Sequence, residues 1–366
     1  MLLYVLTIHY LYRSCTTQAS SLHCAAKSEE IPMPNIAIQE VAVIGAGLAG
    51  LSVLQHLDPA THRVTLFDKS RGTGGRLSSK KVGNSSWDMG AQYLRAHSPE
   101  FAGQLSTWHE LGWIAPWPVT PYVADANGLR PSPDNTRRYV GTPRMTALSR
   151  KLSEQAGEFH ATTRITKASQ QDGHWFLRSD DDREFGPFAT LVIALPPQQA
   201  AELLPINHPL YQMAAGHGML PSWTLLFSCE EIIAPEIHAV YVHNGPLRWM
   251  ARNSSKPGRA PEQSWVLQAS AVWSQQHLDA PRPEIQSQLL EAFRSLTGAD
   301  KLTLTDTWLH RWLYALPDGS SAPAQPLHDP AMKLYLCGDW CQGSSAEGAW
   351  LSGRSTAALI NQQDNE

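Results

Sequence analysis

The chain has little cysteine, little charge and no long apolar segment, and each shortage excludes a class of protein. Its 366 residues contain five cysteines without CxxC or zinc-ligand spacing, which disfavours a disulfide scaffold or zinc site and indicates a reducing compartment. A net charge of −4 with 17% charged residues gives no basis for nucleic-acid binding. No segment is apolar for long enough to predict a membrane span. Neither a Ser/His/Asp elbow nor a His/Glu metal motif is present, so no metal is predicted.

The first residues form a separate segment in sequence terms. An apolar stretch begins at Met1, is interrupted by His9 and lacks the basic region of a signal peptide. We therefore interpret residues 1–35 as a disordered extension or a wrongly assigned start, with Met33 as the alternative start. The expected location is the cytoplasm, and export is the alternative if the segment is a genuine signal.

A glycine-rich turn is the most informative pattern that is present. It follows the apolar run 41–44, which is typical of a buried parallel strand, and precedes leucines at helical spacing. Strand, turn and helix N-terminus together bind a dinucleotide pyrophosphate. The residues of the Gly-x-Gly-x-x-Gly motif are Gly45, Ala46, Gly47, Leu48, Ala49 and Gly50.

An acidic residue follows at the spacing expected for a dinucleotide fold. A second strand over residues 63–67 ends at Asp68, which precedes Lys69. A carboxylate about 20 residues beyond the glycines hydrogen-bonds a ribose hydroxyl in such folds. The alternative for Asp68 is an ordinary strand-ending turn residue. We favour the ribose contact because the glycine turn lies at the right distance.

Two further segments predict a flavin dinucleotide in preference to NAD. A second glycine loop and a segment near residue 90 offer backbone for a longer cofactor, and Arg76 is suited to a phosphate. Gln92 is predicted to hydrogen-bond the edge of a planar ring. The alternative for the loop is a flexible surface turn with a solvated arginine. The candidate residues are Gly74, Gly75, Arg76, Leu77, Gly90, Ala91, Gln92 and Tyr93.

The end of the chain carries the complementary part of the site. A buried strand is predicted over 333–337, followed by Gly338 and Asp339, and a helix then opens at Ala346. Asp339 is suited to accept hydrogen bonds from ribityl hydroxyls. The N-terminus of the helix is suited to stabilise negative charge on a reduced flavin ring. The alternative for Asp339 is an ordinary helix cap. The alternative for Glu347, in the first turn of the helix, is compensation of the helix dipole. The helix candidates are Glu347, Gly348 and Ala349.

This constellation resembles the FAD oxidoreductases of the amine-oxidase type and, more narrowly, the bacterial renalases, over about residues 36–362. The resemblance implies an α/β fold with p-hydroxybenzoate-hydroxylase-like topology, in which a Rossmann-like FAD-binding domain is interleaved with a mixed-sheet substrate or cap domain. It also implies that the backbone of Ile165 contacts the adenine of the cofactor. No flavin attachment motif is evident, so FAD is predicted to be noncovalent.

The predicted domains alternate along the chain. The FAD-binding domain takes residues 36–107, 156–200 and 326–366, and the substrate or cap domain takes 108–155 and 201–325. Strands are predicted at 161–165, 223–227, 247–251 and 265–269, and a helix near 282–296. A hairpin is predicted to turn at Gly173.

The substrate pocket is predicted from aromatic and polar residues of the cap. Alternation along a strand places Trp308, His310, Trp312 and Tyr314 on one face. Core packing of a long strand explains them equally well. Outside that strand, contacts with an anionic substrate tail are predicted for His243, Asn253, Lys256 and Arg259, with a solvated loop as the alternative for the last two.

Resemblance to renalases implies a reaction. The enzyme would oxidise dihydronicotinamide isomers reduced at ring positions 2 or 6 to NAD(P)+, with hydride passing to flavin N5 and O2 reduced to hydrogen peroxide. The partners are then the dihydronicotinamide dinucleotide and O2. The alternatives are an amine oxidase or another small-molecule flavin oxidase, and a flavin-binding protein without turnover.

Overall fold

The computed structural model describes residues 37–323 and 326–363, so the expectations for residues 1–35 lie outside it. The strands are β1 (Gln39–Ile44), β2 (His62–Phe67), β3 (Ser79–Val82), β4 (Ser85–Asp88), β5 (Ile114–Pro116), β6 (Tyr122–Asp125), β7 (Gly128–Pro131), β8 (Tyr139–Gly141), β9 (Glu158–His160), β10 (Ile165–Gln171), β11 (His174–Ser179), β12 (Glu184–Phe188), β13 (Thr190–Ile193), β14 (Met219–Cys229), β15 (Ala239–Val242), β16 (Leu247–Arg252), β17 (Gln263–Ala269), β18 (Leu304–Pro317), β19 (Leu327–Asp329) and β20 (Leu334–Leu336). The helices are α1 (Leu48–His56), α2 (Pro99–Glu110), α3 (Met145–Ser153), α4 (Pro197–Ala201), α5 (Pro209–Ala215), α6 (Ala271–Gln276), α7 (Arg282–Thr297), α8 (Asp339–Gln342) and α9 (Ala346–Gln363).

A mostly parallel sheet forms the Rossmann-like half of the molecule. Its strand order is β19-β20-β13-β1-β2-β9, and only the β19–β20 pair is antiparallel. The last four residues of β1 and all of β13 are buried, because helices cover both faces of a parallel sheet. The predicted α/β fold with a Rossmann-like domain is confirmed.

Helices α1 and α9 pack closely beside this sheet. A Cβ added to Gly353 of α9 would lie 2.2 Å from the carbonyl oxygen of Ala49 in α1. Ser52 of α1 also donates to the carbonyl oxygen of Trp350 at 2.7 Å. The C-terminal helix therefore supports the helix that follows the glycine turn.

A three-stranded antiparallel sheet, β10-β11-β12, follows in the chain. The predicted hairpin is confirmed, with Asp172 and Gly173 in positive-φ conformations between β10 and β11. The strand predicted at 161–165 is wrong in its limits. Strand β9 ends at His160 and β10 begins at Ile165, with Thr162 at φ 50° between them. A left-handed residue interrupts the extended backbone there.

A larger sheet forms the second half, in the order β18-β14-β17-β16-β15-β6-β7. The strands predicted at 223–227, 247–251 and 265–269 lie within β14, β16 and β17, and the predicted helix lies within α7. One face of this sheet packs against α7, through Phe227 and Trp265 against Phe293. The opposite face meets Trp87 and Met89 through Leu226 and Val266.

The segment predicted as the first part of the cap divides between the two halves. Strands β6 and β7 extend the seven-stranded sheet, whereas α3 contacts α1. The predicted domain limits remain a prediction. Within residues 37–323 and 326–363, the helices are too short or too polar to cross a bilayer.

Candidate functional site

The glycine turn after β1 has the geometry of a phosphate-binding cradle. Gly45 has φ +108°, and a Cβ on Gly50 would lie 2.1 Å from the Gly45 carbonyl oxygen, so both positions require glycine. Gly47 differs, because no described atom lies within 4 Å of the Cβ it would carry. It is also the N-cap of α1, and no side chain caps the free N–H groups. This open space and these donors fit a pyrophosphate.

Asp68 lies against the same turn. Its carboxylate accepts from the backbone N–H of Ala46 at 2.9 Å and of Ser70 at 2.7 Å. Lys69 follows it, with a pKa lowered by burial and by Arg164. Asp68 is thereby fixed beside the cradle at the end of β2, and its contact with a ribose stays a prediction.

The second glycine loop packs directly on the first. Gly74 forms a parallel bridge with Gly47 and donates to the Ala46 carbonyl oxygen at 2.7 Å. Gly75, at φ +50°, lies so close that its Cβ would be 3.5 Å from the Gly47 Cα. Leu77 is buried and fixes the loop in the core. The two loops form one continuous backbone surface.

An ion pair joins this loop to the distant end of the chain. Arg76 donates from Nη1 and Nη2 to the two Asp339 carboxylate oxygens, both at 2.6 Å. The Asp339 side chain is 6% exposed and Arg76 34%. Gly338 is held by Ser352 of α9, whose Oγ accepts its N–H at 3.1 Å. Sequence separates Arg76 and Asp339 by 263 positions, and the fold brings both to the cradle, as a common cofactor requires.

Glu347 has a role that the sequence did not predict. Its buried carboxylate accepts the backbone N–H of His97 at 2.8 Å and of Ser98 at 2.7 Å, just before α2. These hydrogen bonds hold its pKa below the usual value against the opposing effect of burial. Glu347 therefore fixes the backbone that leads into α2, while Ser98 caps that helix through the N–H of Phe101. Beside it, Gly348 permits contact with the Gly343 carbonyl oxygen, which its Cβ would approach to 2.0 Å, and Ala349 is buried.

The segment at residue 90 is attached to the second glycine loop. Ala91 donates its N–H to the Arg76 carbonyl oxygen at 2.8 Å, and a Cβ on Gly90 would lie 2.0 Å from that oxygen. Gln92 is buried and donates to the carbonyl oxygens of Asp88 and Gly90 at 2.7 and 3.0 Å. These contacts differ from the predicted ring-edge hydrogen bond, because the amide of Gln92 is already engaged within the protein.

A buried ionic network lies under this segment. Asp88 accepts from Lys256 Nζ at 3.1 Å and from Arg259 at Nη2, with all three side chains at most 3% exposed. The two cations and the Met145 N–H lower the pKa of Asp88 to about 2, although burial opposes them. Burial lowers the pKa of Lys256 to about 8. Asn253 completes the network by accepting the Asp88 N–H at 3.2 Å.

This network corrects the prediction for three cap residues. Asn253, Lys256 and Arg259 were predicted to contact a substrate tail, with a solvated loop as an alternative for the two cations. They are instead buried against Asp88, and Lys256 also donates to Gln92 at 3.1 Å. A lone acid in a strand gives no sequence signal for partners about 170 residues away. The network joins the cap to the segment at residue 90.

The inward face of the cap sheet presents a row of side chains across four strands. Cross-strand pairing connects Trp249 to Gln268, Gln268 to Thr224, and Thr224 to His310. Opposed residues share a face of an antiparallel sheet. Gln268 donates to the Gly90 carbonyl oxygen at 2.7 Å, so the row faces the candidate cofactor segments. We call these four residues the cap row.

Of the aromatic residues predicted on β18, Trp308, His310 and Trp312 pair with inward-facing residues of β14. His310 packs edge-on against Trp312 at 4.3 Å, and Lys80 lies 3.4 Å above the Trp308 ring. Near Tyr314, the Ala315 carbonyl oxygen accepts from Arg76 at 3.3 Å. Burial, aided by Arg282 and Lys80, lowers the pKa of His310 to about 4. His310 is therefore neutral near pH 7.

Two other predicted residues occupy different places. His243 lines an open depression of about 490 Å³ at the end of β15, together with Pro246 and Trp273. Ile165 is buried at the start of β10 and pairs with Ser179. Its backbone contact with adenine stays a prediction.

Comparison with known proteins places these observations in a family. The flavin containing amine oxidoreductase family matches residues 133–361, and the NAD(P)-binding Rossmann-like domain matches residues 43–107. The chain belongs to the flavin containing amine oxidoreductase family, and its cofactor is FAD. The cradle around Gly47 and the joined ends at Arg76 and Asp339 are the parts that would hold it.

Solved structures with the same fold are distant in sequence. A "Putative protoporphyrinogen oxidase" from Exiguobacterium sp. 255-15 superposes with a TM-score of 0.71 at 12% identity, covering 90% of this chain and 100% of that one. A putrescine oxidase bound to putrescine gives 0.63 at 11% identity, covering 88% and 98%. A Methanosarcina mazei oxidoreductase gives 0.65 at 13% identity, covering 88% and 99%. At these identities the likeness concerns the fold.

Curated relatives match only a short segment. A 4,4'-diapophytoene desaturase (4,4'-diaponeurosporene-forming) of Staphylococcus haemolyticus (strain JCSC1435) is 42% identical over 50 residues, which is 14% of this chain and 10% of that protein. That of Staphylococcus aureus (strain Newman) is 39% identical over 51 residues, with the same shares. The chain thus matches a tenth of the length of these relatives.

Proposed function

We propose that the protein is a renalase-type oxidase that converts 2- and 6-dihydro-NAD(P) to NAD(P)+, with O2 as the electron acceptor. FAD, when bound noncovalently, supplies the hydride acceptor at N5 and passes two electrons to O2. One dihydronicotinamide, one O2 and one proton then give NAD(P)+ and hydrogen peroxide. A donor that gains aromaticity on oxidation needs no strong base.

The neutral character of the cap row carries this proposal. Trp249, Gln268 and Thr224 are uncharged, and His310 is neutral at pH 7 because its pKa is lowered to about 4. The row contains no carboxylate to pair with a cationic amine. A flat, uncharged dihydronicotinamide ring suits such a wall, since aromatic side chains pack on planar rings.

Two polar atoms on the inward side of the cap sheet lack a hydrogen-bond partner in the described part of the chain. The Thr224 hydroxyl and the Trp312 indole nitrogen are buried without a hydrogen-bond partner among the described residues. Buried polar groups in native proteins are nearly always paired. A nicotinamide carboxamide has both a donor and an acceptor, and it would satisfy these two atoms.

Amine oxidation is the second candidate. The family match and the putrescine oxidase fold support it. A flavin-binding protein without turnover is the third, and it predicts bound flavin without peroxide from any donor. The buried free cysteines Cys229, Cys337 and Cys341 support a cytoplasmic location.

Turnover with purified holoenzyme tests the proposal. With 2- or 6-dihydro-NAD(P), we expect one equivalent each of NAD(P)+ and hydrogen peroxide per O2 consumed. Putrescine and benzylamine serve as the matched amines and should give no peroxide above background. Peroxide from the amines without peroxide from the isomers would replace the proposal with amine oxidation. No peroxide from any donor would favour the non-catalytic alternative.

A further inference from the structure

Arg76 contacts two segments that lie far from it in the chain. Its Nη1 and Nη2 atoms donate to the Asp339 carboxylate at 2.6 Å, and Nη1 also donates to the Ala315 carbonyl oxygen at 3.3 Å. Asp339 is the first residue of α8, and Ala315 lies near the end of β18, the edge strand of the cap sheet. One guanidinium group therefore joins the second glycine loop, the C-terminal segment and the cap.

Strand β18 has a bulge at the point where Arg76 reaches it. Residues 313–315 of β18 stand opposite Pro221 alone, because the register of β18 against β14 shifts there. Proline has no N–H to donate to a neighbouring strand. This gap in the ladder explains why the strand bulges, and Arg76 supplies a donor to the bulged segment. Bulges re-aim the side chains beside them and are frequent next to active sites.

The bulge directly follows the aromatic residues of the proposed ring site. Trp312 is the residue before it, and the ring of His310 in the cap row packs on the Trp312 ring at 4.3 Å between centroids. Nearer the start of β18, Asp306 accepts from Ser85 Oγ at 2.7 Å. The strand is thus tied to segments outside the cap sheet on both sides of these aromatic residues, through Ser85 at one end and Arg76 at the other.

Most of the donor capacity of Arg76 is committed within the protein. A guanidinium group carries five N–H donors, and three of them are used here, including the planar fork that binds Asp339. The Asp339 carboxylate keeps acceptor capacity, because it offers about four lone-pair sites and Arg76 takes two of them. This arrangement favours Asp339 as the residue that contacts the cofactor, and Arg76 as the residue that holds Asp339.

We infer that Arg76 is a positioning residue that couples FAD binding to the order of the pocket wall on β18. A cofactor held at Asp339 would fix the carboxylate, the carboxylate fixes the guanidinium group, and the guanidinium group fixes the bulge that follows Trp312. This role differs from the phosphate contact expected for Arg76. It does not depend on which donor the enzyme oxidises.

Hydrogen exchange measured by mass spectrometry tests the coupling. In the wild type, saturating FAD should slow amide exchange in the peptide over residues 312–317 about tenfold. In R76Q the same peptide should show no such response, although FAD still binds at the glycine cradle. The control is R130Q, because Arg130 pairs with Asp125 on β6 of the same sheet, and it should respond as the wild type does. No response in the wild type, or a full response in R76Q, would overturn the inference.

A double-mutant cycle on FAD affinity separates positioning from direct phosphate binding. Calorimetry of the full-length apo-protein with FAD compares R76Q, D339N and the double variant. If Arg76 acts through Asp339, each single variant loses about tenfold in affinity and the double variant loses no more than D339N, a coupling of about 1.4 kcal/mol. A direct phosphate contact predicts independent losses, about 100-fold in the double variant. Such additive losses would overturn the positioning role, whether or not the holoenzyme oxidises a dihydronicotinamide.

The conservative variant R76K tests the planar fork separately from the charge. Lysine keeps the positive charge but lacks the fork, so Asp339 stays compensated in R76K. Its FAD affinity and its FAD-dependent slowing of exchange over residues 312–317 should both lie between those of the wild type and R76Q. If R76K matched the wild type in both measurements, charge alone would hold Asp339, and the role given to the fork would be wrong.

Discussion

The cofactor cradle and the cap row are built by different means. The cradle is made of backbone, and each of Gly45, Gly50 and Gly74 stands where a Cβ would meet an atom closer than 3 Å. The cap row is made of side chains aligned by strand pairing, and its members share no motif. A binding surface made of backbone requires glycines, which can be recognised in the sequence. A row of side chains across four strands depends on the strand register, which the sequence does not show directly.

The Asp88 network offers the largest test, because it ties the two regions together. D88N removes the anion and leaves Lys256 and Arg259 as buried, uncompensated cations. We expect a loss of about 3–5 kcal/mol in the free energy of unfolding, measured by urea denaturation. The control is D125N, at an exposed pair with Arg130, with a much smaller loss. Equal losses in the two variants would show that the network does not join the regions.

The same network predicts an acid limit to stability. The folded-state pKa of Asp88 is lowered to about 2, below the ordinary value of about 3.9. Its contribution is therefore complete above about pH 3.9 and is lost as the pH falls towards 2. D88N should lack this part of the acid dependence in urea denaturation.

The cradle is tested next by two glycines with opposite surroundings. G47V places its side chain in open space, so the apo-protein should keep its melting temperature while FAD affinity falls about 100-fold, the loss of two or three phosphate hydrogen bonds. G50V places its Cβ against the Gly45 carbonyl oxygen and should destabilise the apo-protein itself. Calorimetry and FAD titration measure both. Undiminished FAD affinity in G47V would contradict the cradle.

The neutrality of the cap row predicts a flat pH profile. Since the pKa of His310 is lowered to about 4, kcat/KM should show no inflection from this residue between about pH 5 and 8. In the unfolded chain its pKa is about 6.5. The stability contribution of His310 therefore falls as the pH drops from 6.5 to 4. An inflection near pH 6.5 that disappears in H310Q would refute the neutral row.

The smallest effect on stability is expected at Thr224. Its buried hydroxyl has no partner among the described residues, so T224V should change the free energy of unfolding by less than about 1 kcal/mol. KM for the dihydronicotinamide should rise several-fold if the hydroxyl holds the carboxamide. S222A is the control, because Ser222 donates to the Ala269 carbonyl oxygen at 3.1 Å and loses that bond. An unchanged KM in T224V would remove Thr224 from the site.

The difference between the regions also explains what the sequence predicted. The glycine turn and the strands around it were predicted because spacing and apolar runs are local signals. The sequence predicts that Arg76 and Asp339 meet at a shared cofactor. It does not predict the direct ion pair between them. The roles of Glu347 and Lys256 were missed because their partners are distant in sequence.

Anaerobic stopped-flow reduction of the bound FAD tests the central claim most directly. Holoenzyme is mixed with 6-dihydro-NAD or with putrescine, and the decay of the oxidised flavin absorbance is followed in a single turnover. We predict fast, saturable reduction by 6-dihydro-NAD and none by putrescine on the same timescale. Rapid reduction by putrescine with no reduction by either dihydronicotinamide isomer would contradict the assignment of the cap row to a neutral nicotinamide ring.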